Sequence, residues 1–277
     1  MNDGDLTEDV FAKFREIIYK VAGINIPETK KVMIANRVRR RLRATGLAGF
    51  KEYHAFLTSL AGAPEMPLFL NEITTNETYF YRDVQHFNWL QEEFFPQLAE
   101  QGRLWKRPKT LRIWSAAAST GEELYSIALR LLPLRHLFTG WNITLLGTDL
   151  SGAALEAARL GRYDERAVRL VGQAERTRYF EFDPKALRWT VKDELKSLAT
   201  WKSHNLLRPL NEEPFDCVFI KNVLIYFDAQ SKQAATRHLI GSVAKGGYLV
   251  VGPTEGIYNM LEPLEKRKPW LYQRAKN

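Results

Sequence analysis

The chain has 277 residues, a formal net charge of +8, 45% hydrophobic and 26% charged residues, and one cysteine. Length and composition suit a main globular domain with a smaller companion, and the single Cys217 excludes an internal disulfide and fits a reducing compartment. No apolar run approaches the ~18–20 residues of a membrane span, and the acidic opening MNDGDLTEDVF lacks the apolar core expected of a secretory signal. The positive charge favours an anionic partner without choosing among nucleic acid, membrane surface and acidic protein.

The first sixty residues read as helices. In LTEDVFAKFREIIYKVAG, Val10, Phe14, Ile17 and Val21 recur at helical spacing and Phe11 and Ile18 widen the stripe. Asp5 with Glu8 has the spacing of a capping box, and Gly23 suits the C-terminal stop. A second helix, ETKKVMIANRVRRRLRATG, sets Ile34, Val38 and Leu42 on one side, is crowded by Lys30, Lys31, Arg37, Arg39, Arg40, Arg41 and Arg43, and ends at Gly46. A shorter helix runs through FKEYHAFLTSL, and AGAPEMP, with its glycine and two prolines, reads as a linker.

Beyond it, strands and helices alternate: TLRIWSAA then GEELYSIALRLL, NITLLGTDL then SGAALEAARLG, FDCVFIKNVLIYF then DAQSKQAATRHLIGSVAKGG, and finally YLVVGP. This rhythm predicts a mostly parallel sheet with helices on both faces. Short alternating runs such as LRWTV, inside RYFEFDPKALRWTVKDELKSLATWKSHN, predict a small antiparallel insertion at about 178–203. The expected division is a helical domain over 1–62, a linker over 63–75 and an α/β domain over 76–277.

The joint between TLRIWSAA and GEELYSIALRLL is a run of small residues, Ala116 to Gly121. Ligands of open parallel sheets sit beyond the carboxyl ends of the strands, where helix N-termini point and small residues admit close approach. The run is not a dinucleotide fingerprint, since G-x-G-x-x-G is absent, nor a P-loop, which needs Gly-Lys-Ser/Thr. Asp149, ending the second strand, has the chemistry to accept both hydroxyls of a ribose; its alternative role is to cap the helix starting near Ser151. Glu122 and Glu123 in the first helical turn suit the helix dipole but would repel a pyrophosphate. A sugar with a cationic tail, as in S-adenosylmethionine, suits this site better than NAD or ATP. Cys217 reads as a small core hydrophobe in mid-strand.

NEITTNETYFYRD, RIWSAAASTGEELYSIA, LLGTDLS, SHNLL and FDCVFIKNVLIYFD resemble, in order and spacing, the successive motifs of the CheR-type chemotaxis-receptor methyltransferases. The resemblance covers essentially the whole chain. It implies a cytoplasmic S-adenosylmethionine-dependent protein-glutamate O-methyltransferase, monomeric, without a metal, acting on acidic cytoplasmic helices of chemoreceptors and not on nucleic acid. The implied fold is a class I methyltransferase sheet with an all-helical N-terminal domain, a small antiparallel insertion and no direct membrane insertion. Motif by motif, it implies cofactor binding through Asn76, Thr78, Arg82, Glu123, Asp149, Asn205, Leu206, Lys221 and Asn222, and places Arg82 and Tyr226 beside the transferred methyl group. Lys221 stands where arginine is frequent in the family, at a position expected to contribute mainly backbone contacts. The stretch FEFDPKALRWTV lacks the glycine-containing hairpin of members that dock on a receptor's C-terminal pentapeptide. Arg37, Arg39, Arg40, Arg41 and Arg43 then become the expected docking surface for acidic helices.

Three other readings weaken against these residues. An amine-modifying nucleic-acid methyltransferase would carry Asn/Asp-Pro-Pro-aromatic where this chain has KNVLIYF, and a cytosine C5 enzyme would need a nucleophilic cysteine, whereas Cys217 follows Asp216 inside a strand. A non-catalytic scaffold has no need of Arg82, Asp149 and Tyr226 together, and an NAD-dependent dehydrogenase lacks its fingerprint.

Overall fold

The computed structural model describes residues 5–276 of the chain. Its N-terminal part is four helices: α1 (Glu8–Ala22), α2 (Lys31–Thr45), α3 (Phe50–Leu57) and α4 (Glu65–Ile73). Their apolar stripes, among them Phe14, Ile18, Ile34, Val38, Tyr53 and Phe69, close into one core. Gly23 and Gly46 end α1 and α2 in left-handed conformation, φ 72° and 74°, as the sequence suggested.

Two local expectations are corrected. The cap of α1 is Thr7, whose Oγ accepts from Val10 N; Glu8 is thereby the first helical residue and no Asp5–Glu8 box forms. The stretch 63–75 is mostly α4, not a linker, and Phe69, Leu70 and Ile73 lie in the helical core. Its Pro67 falls within the first turn, where a missing N–H leaves no helical bond unmade.

The α/β part begins with a helix the sequence reading did not anticipate: α5 (Val84–Trp89) passes through a π-helical stretch, Leu90–Phe94, into α6 (Phe95–Arg103). Then follow β1 (Thr110–Ala116), α7 (Glu122–Leu131), β2 (Asn142–Asp149) and α8 (Gly152–Leu160). Next come β3 (Arg162–Tyr163), α9 (Glu165–Val168), α10 (Gln173–Tyr179), β4 (Phe180–Asp183), β5 (Arg188–Val191) and α11 (Asp193–Lys196). The chain closes with β6 (Ala199–Ser203), β7 (Phe215–Ile220), α12 (Ala229–Ser242), β8 (Val243–Val251), β9 (Glu265–Lys268) and β10 (Leu271–Gln273).

Seven strands form one sheet in the order β6-β2-β1-β7-β8-β10-β9. Neighbours from β6 to β8 are parallel, and β10 and β9 add an antiparallel edge. Along β7 the side chains alternate, Cys217 and Phe219 toward the core beneath α5–α7, Val218 and Ile220 toward the core with Leu239 of α12. Cys217 is buried among apolar groups, which pushes its thiol pKa up. The antiparallel insertion exists but is misplaced in the sequence reading. It is the three-stranded sheet β3-β5-β4, spanning 162–191, while 199–203 is the outer strand of the main sheet. The pattern of β6 alternates like that of an insertion strand because, at the edge, only one face is covered.

From β1 the chain winds outward through β2 to β6, then returns to β7 on the other side of β1, pairing Ala116 with Ile220. That reversal opens a crevice beyond the carboxyl ends of β1 and β7.

Candidate active site

Four strand tips deliver the crevice. Beyond β1, Ala117 and Ser119 adopt φ 64° and 52° and Gly121 φ 98°, so the backbone is bent in the left-handed region three times in five residues. Only small residues tolerate the crowding: a Cβ on Gly121 would lie 2.9 Å from both Ala158 Cβ and the Trp201 ring. The bend turns Ser119 N–H onto Asp149 Oδ2 (2.8 Å), while Ser151 N–H donates to Asp149 Oδ1 (2.8 Å). Asp149 therefore bridges two loops, and the cap of α8 is Ser151, whose Oγ accepts from Ala154 N. Burial pushes the Asp149 carboxyl above the ordinary aspartate range, opposed by those N–H donors.

Beyond β7, Lys221 is buried, its side chain 3% exposed. Its Nζ donates to the Arg82 carbonyl (2.5 Å) and lies 3.2 Å from Asp83 Oδ2 and 3.5 Å from Glu123 Oε2. Glu123 Oε1 in turn accepts from Ser115 Oγ at 2.8 Å. A desolvated cation needs such partners, so the Lys221 side chain has a structural role in addition to the mainly backbone contacts expected at this position. It joins the β7 tip, the first turn of α7 and the segment that carries Arg82.

Asn222 follows in left-handed conformation, φ 59°. Its N–H and those of Val223 (3.2 Å) and Leu224 (2.7 Å) converge on the carboxylate of Glu255, which has no exposed surface. Burial pushes this carboxyl up as well, against the three donors. The arrangement leaves no room at Gly252, where a Cβ would stand 2.6 Å from Glu255 Oε1 and 3.1 Å from Lys221 Cα. Sequence reading missed Glu255. Its only signal is an acid in the Gly/Pro loop after β8, and only the register of β8 beside β7, Val251 opposite Ile220, brings it to the site.

Two adjoining cavities occupy the crevice. The larger, about 360 Å³, lies between the helical domain and the strand tips and is reached by Asn76, Asp149, Asn205, Leu206, Asn222 and Tyr226. The smaller, about 70 Å³, is reached by Asn76, Thr78, Arg82, Glu123, Asp149, Lys221 and Asn222. All the cofactor and catalytic candidates thus line one crevice. Some of their polar atoms are already committed: Asn205 Nδ2 donates to the Val21 carbonyl of α1 (2.7 Å), and Arg82 Nη1 donates to the Glu77 carbonyl (3.3 Å). Tyr226 is 40% exposed, and its carbonyl accepts from Asn25 N–H of the helical domain at 2.8 Å.

The arginines of α2 behave differently from the expectation of a docking face. Arg41 grips Glu65 with two bonds (2.7 and 2.9 Å), beside the Tyr53 hydroxyl donating to the same carboxylate (2.7 Å). Arg37 donates to the carbonyls of Ile73 and Thr74 (3.1 Å to the latter) and to Thr75 Oγ1 (3.1 Å). These two are structural clamps on α4 and on the chain leaving it. Arg40 pairs with Glu72 (2.6 Å) at the surface, Arg39 donates to Asn36 Oδ1 (3.0 Å), and Arg43 is exposed with no ion pair among the described residues.

Residues 76–269 match the family described as CheR methyltransferase, SAM binding domain, and residues 9–74 match its all-alpha domain. The chain belongs to the CheR methyltransferase family. Similar curated proteins include a probable chemotaxis protein methyltransferase of Rhizobium etli, 37% identical with 87% of this chain and 90% of that one covered. The chemotaxis protein methyltransferase of Salmonella typhimurium is 34% identical, with 98% and 92% covered. Among solved structures, an O-methyltransferase family protein from Burkholderia thailandensis overlays with a TM-score of 0.42 at 14% identity, covering 81% of this chain and 63% of that chain. As a CheR methyltransferase the chain is an enzyme whose cofactor is S-adenosylmethionine. The crevice has the donor set for it. Two acceptor carboxylates, Asp149 and Glu123, suit a ribose and an ammonium and would oppose a pyrophosphate, and the enclosed Asn222 Oδ1 has no donor among the described residues.

Proposed function

We propose that this CheR methyltransferase methylates glutamate side-chain carboxylates in acidic cytoplasmic helices of chemoreceptors, giving glutamyl methyl esters, and that it does so as a cytoplasmic monomer. The observation that carries the reading is the convergence of Arg82, Tyr226, Asp149 and Glu123 on one crevice at the β1/β7 reversal. Asp149, Glu123, Asn76, Thr78, Asn222 and the main chain at Asn205–Leu206 hold the cofactor in this reading. When bound, S-adenosylmethionine supplies an electrophilic methyl group on a sulfonium.

A glutamate carboxylate, with a pKa of about 4.3, is ionised at neutral pH, so the protein provides no general base. The task left to it is to place the carboxylate oxygen, an effect worth up to about 7–11 kcal/mol. The Arg82 guanidinium and the Tyr226 hydroxyl are donors of the right type to orient an anion. Lys221 fixes the main chain at Arg82, Glu255 fixes the turn leading to Tyr226, and Asn25 pins the Tyr226 carbonyl. The approach of an acidic helix is guided by Arg40 and Arg43, the α2 arginines exposed to solvent, together with the half-buried Arg39 over the Phe50 ring, with Arg37 and Arg41 holding the helix in place. The stretch FEFDPKALRWTV, which forms the β4–β5 hairpin without a glycine, is the ground for proposing recognition without a C-terminal pentapeptide tether.

Incubation with S-[methyl-³H]adenosylmethionine and receptor cytoplasmic fragments tests the proposal. Label on the receptor that is released as methanol by mild base is the expected result. Base-stable label, or label on nucleic acid, would overturn it.

A further inference from the structure

The end of the sheet opposite the crevice carries a surface that methyl transfer does not use. Between the end of α6 and the start of β1 the chain makes a tight turn through Leu104, Trp105, Lys106, Arg107 and Pro108. Trp105 takes a left-handed φ of 56°, a costly conformation for a bulky residue, and the outcome is an indole 85% exposed. Leu104 beside it is 43% exposed, and Leu137, on the neighbouring connection to β2, is 39% exposed. Burying any of these would be favourable, yet the turn holds them in water.

Cations surround this apolar tip. Lys109 Nζ sits 5.6 Å from the Trp105 ring centroid. Lys106, within the turn, and Lys109 are exposed and have no ion pair among the described residues. Adjoining the turn is a shallow groove of about 470 Å³ whose floor includes Ala99, Leu137 and Trp141, and whose rim carries Arg103, Lys109 and His136. Its one acid, Glu100, is neutralised by Arg103 at 2.5 Å. Arg107 is spent inside the protein on Asp216 (2.7 Å) and belongs to the fold, not to the patch.

We propose that the Leu104–Lys109 turn, with Leu137, is a peripheral docking surface for an anionic lipid bilayer. An indole on a short turn, flanked by leucines and ringed by unpaired cations, matches the headgroup boundary, where aromatic rings settle and each nearby Lys or Arg gains from anionic lipid. A nucleic acid, or an acidic peptide without apolar side chains, would satisfy the cations but leave Leu104 and Leu137 in water. No helix of the described residues is long and apolar enough to cross a membrane, so the contact is peripheral. Because the strands run from this end to the crevice, a docked protein faces its crevice away from the lipid.

The test is co-sedimentation of the full chain with phosphatidylcholine vesicles with and without phosphatidylglycerol, and with brominated acyl chains to quench indoles at the boundary. Binding only to the anionic vesicles, weakened by salt, is expected, together with quenching that disappears in Trp105→Phe. Lys106→Gln with Lys109→Gln weakens vesicle binding by about tenfold or more, and Trp105→Ala does so by roughly tenfold. Methylation of a soluble receptor fragment by these variants stays at the parent rate, which separates loss of docking from loss of fold. Absence of vesicle binding, binding unchanged in the variants, or duplex DNA displacing the protein from vesicles without loss in Trp105→Ala would each overturn the proposal.

Discussion

Helix α2 and the strand tips both concentrate polar side chains, and they use them in opposite ways. On α2, Arg37 and Arg41 are bound to carbonyls and to a buried carboxylate, so most of their hydrogen-bonding capacity is consumed inside the helical domain. At the strand tips, Asp149 and Glu123 are each anchored by donors, yet both remain on the wall of a cavity. Charge density in a sequence therefore marks a partner surface less well than the place where the backbone topology leaves room beside a polar group.

The comparison can be broken by mutation, and the largest effect belongs to α2. Arg41→Ala strands the Glu65 carboxylate, itself buried, and is expected to destabilise the protein by about 3–5 kcal/mol in urea unfolding. If Arg41 were a docking residue, stability would hold and only receptor affinity would fall. Asp149→Ala removes one of the two acceptor carboxylates of the crevice and is expected to weaken S-adenosylhomocysteine binding by roughly 1.5–3 kcal/mol in calorimetry. An unchanged affinity in a folded variant removes Asp149 from the cofactor site.

Glu122, next to Glu123 but turned into the interior, sharpens the contrast between a carboxylate at a cavity and one without. Burial raises its pKa to about 7, with the Thr120 hydroxyl at 2.7 Å pulling the other way. The native state then binds more protons than the unfolded chain between about pH 4.5 and 7, so stability falls as pH rises through that window. Glu122→Gln is expected to abolish this dependence and to stabilise the protein by about 1–3 kcal/mol above pH 8, as read by denaturation at two pH values. Tyr226→Phe keeps the ring and removes the donor; single-turnover methylation should slow by about tenfold while S-adenosylhomocysteine affinity stays constant. The smallest effect is that of Arg43→Ala, within about 0.5 kcal/mol in stability, with a salt-sensitive rise in the receptor concentration needed for half-maximal rate.

The helical and α/β halves, the capping glycines, the small-residue joint and Asp149 are legible in the sequence because each rests on local rules of periodicity, backbone conformation and strand ends. The features read wrongly or overlooked depend on distant neighbours. Pro64 and Pro67 look like breaks until Phe69 and Ile73 are seen to complete a core begun at Leu6. β6 looks like part of the insertion until its pairing with β2 is known. The side-chain partners of Lys221 and Glu255 are not local: one pairs with Asp83 and Glu123, the other with a turn 31 to 33 residues earlier in the chain. Motif resemblance located the crevice, but the packing alone separates the arginines that meet solvent from those that do not.

One small contact has a wider consequence. Just after Gly23, Ile24 bridges Phe227 in antiparallel fashion, and Asn25 holds the Tyr226 carbonyl. The wall of the crevice is thus partly written in the first thirty residues of the chain. The helical half is consequently no interchangeable adaptor: grafting it from a relative would import a new position for Tyr226 along with a new α2, so that, with the roles proposed above for both, target choice and turnover would be inherited together.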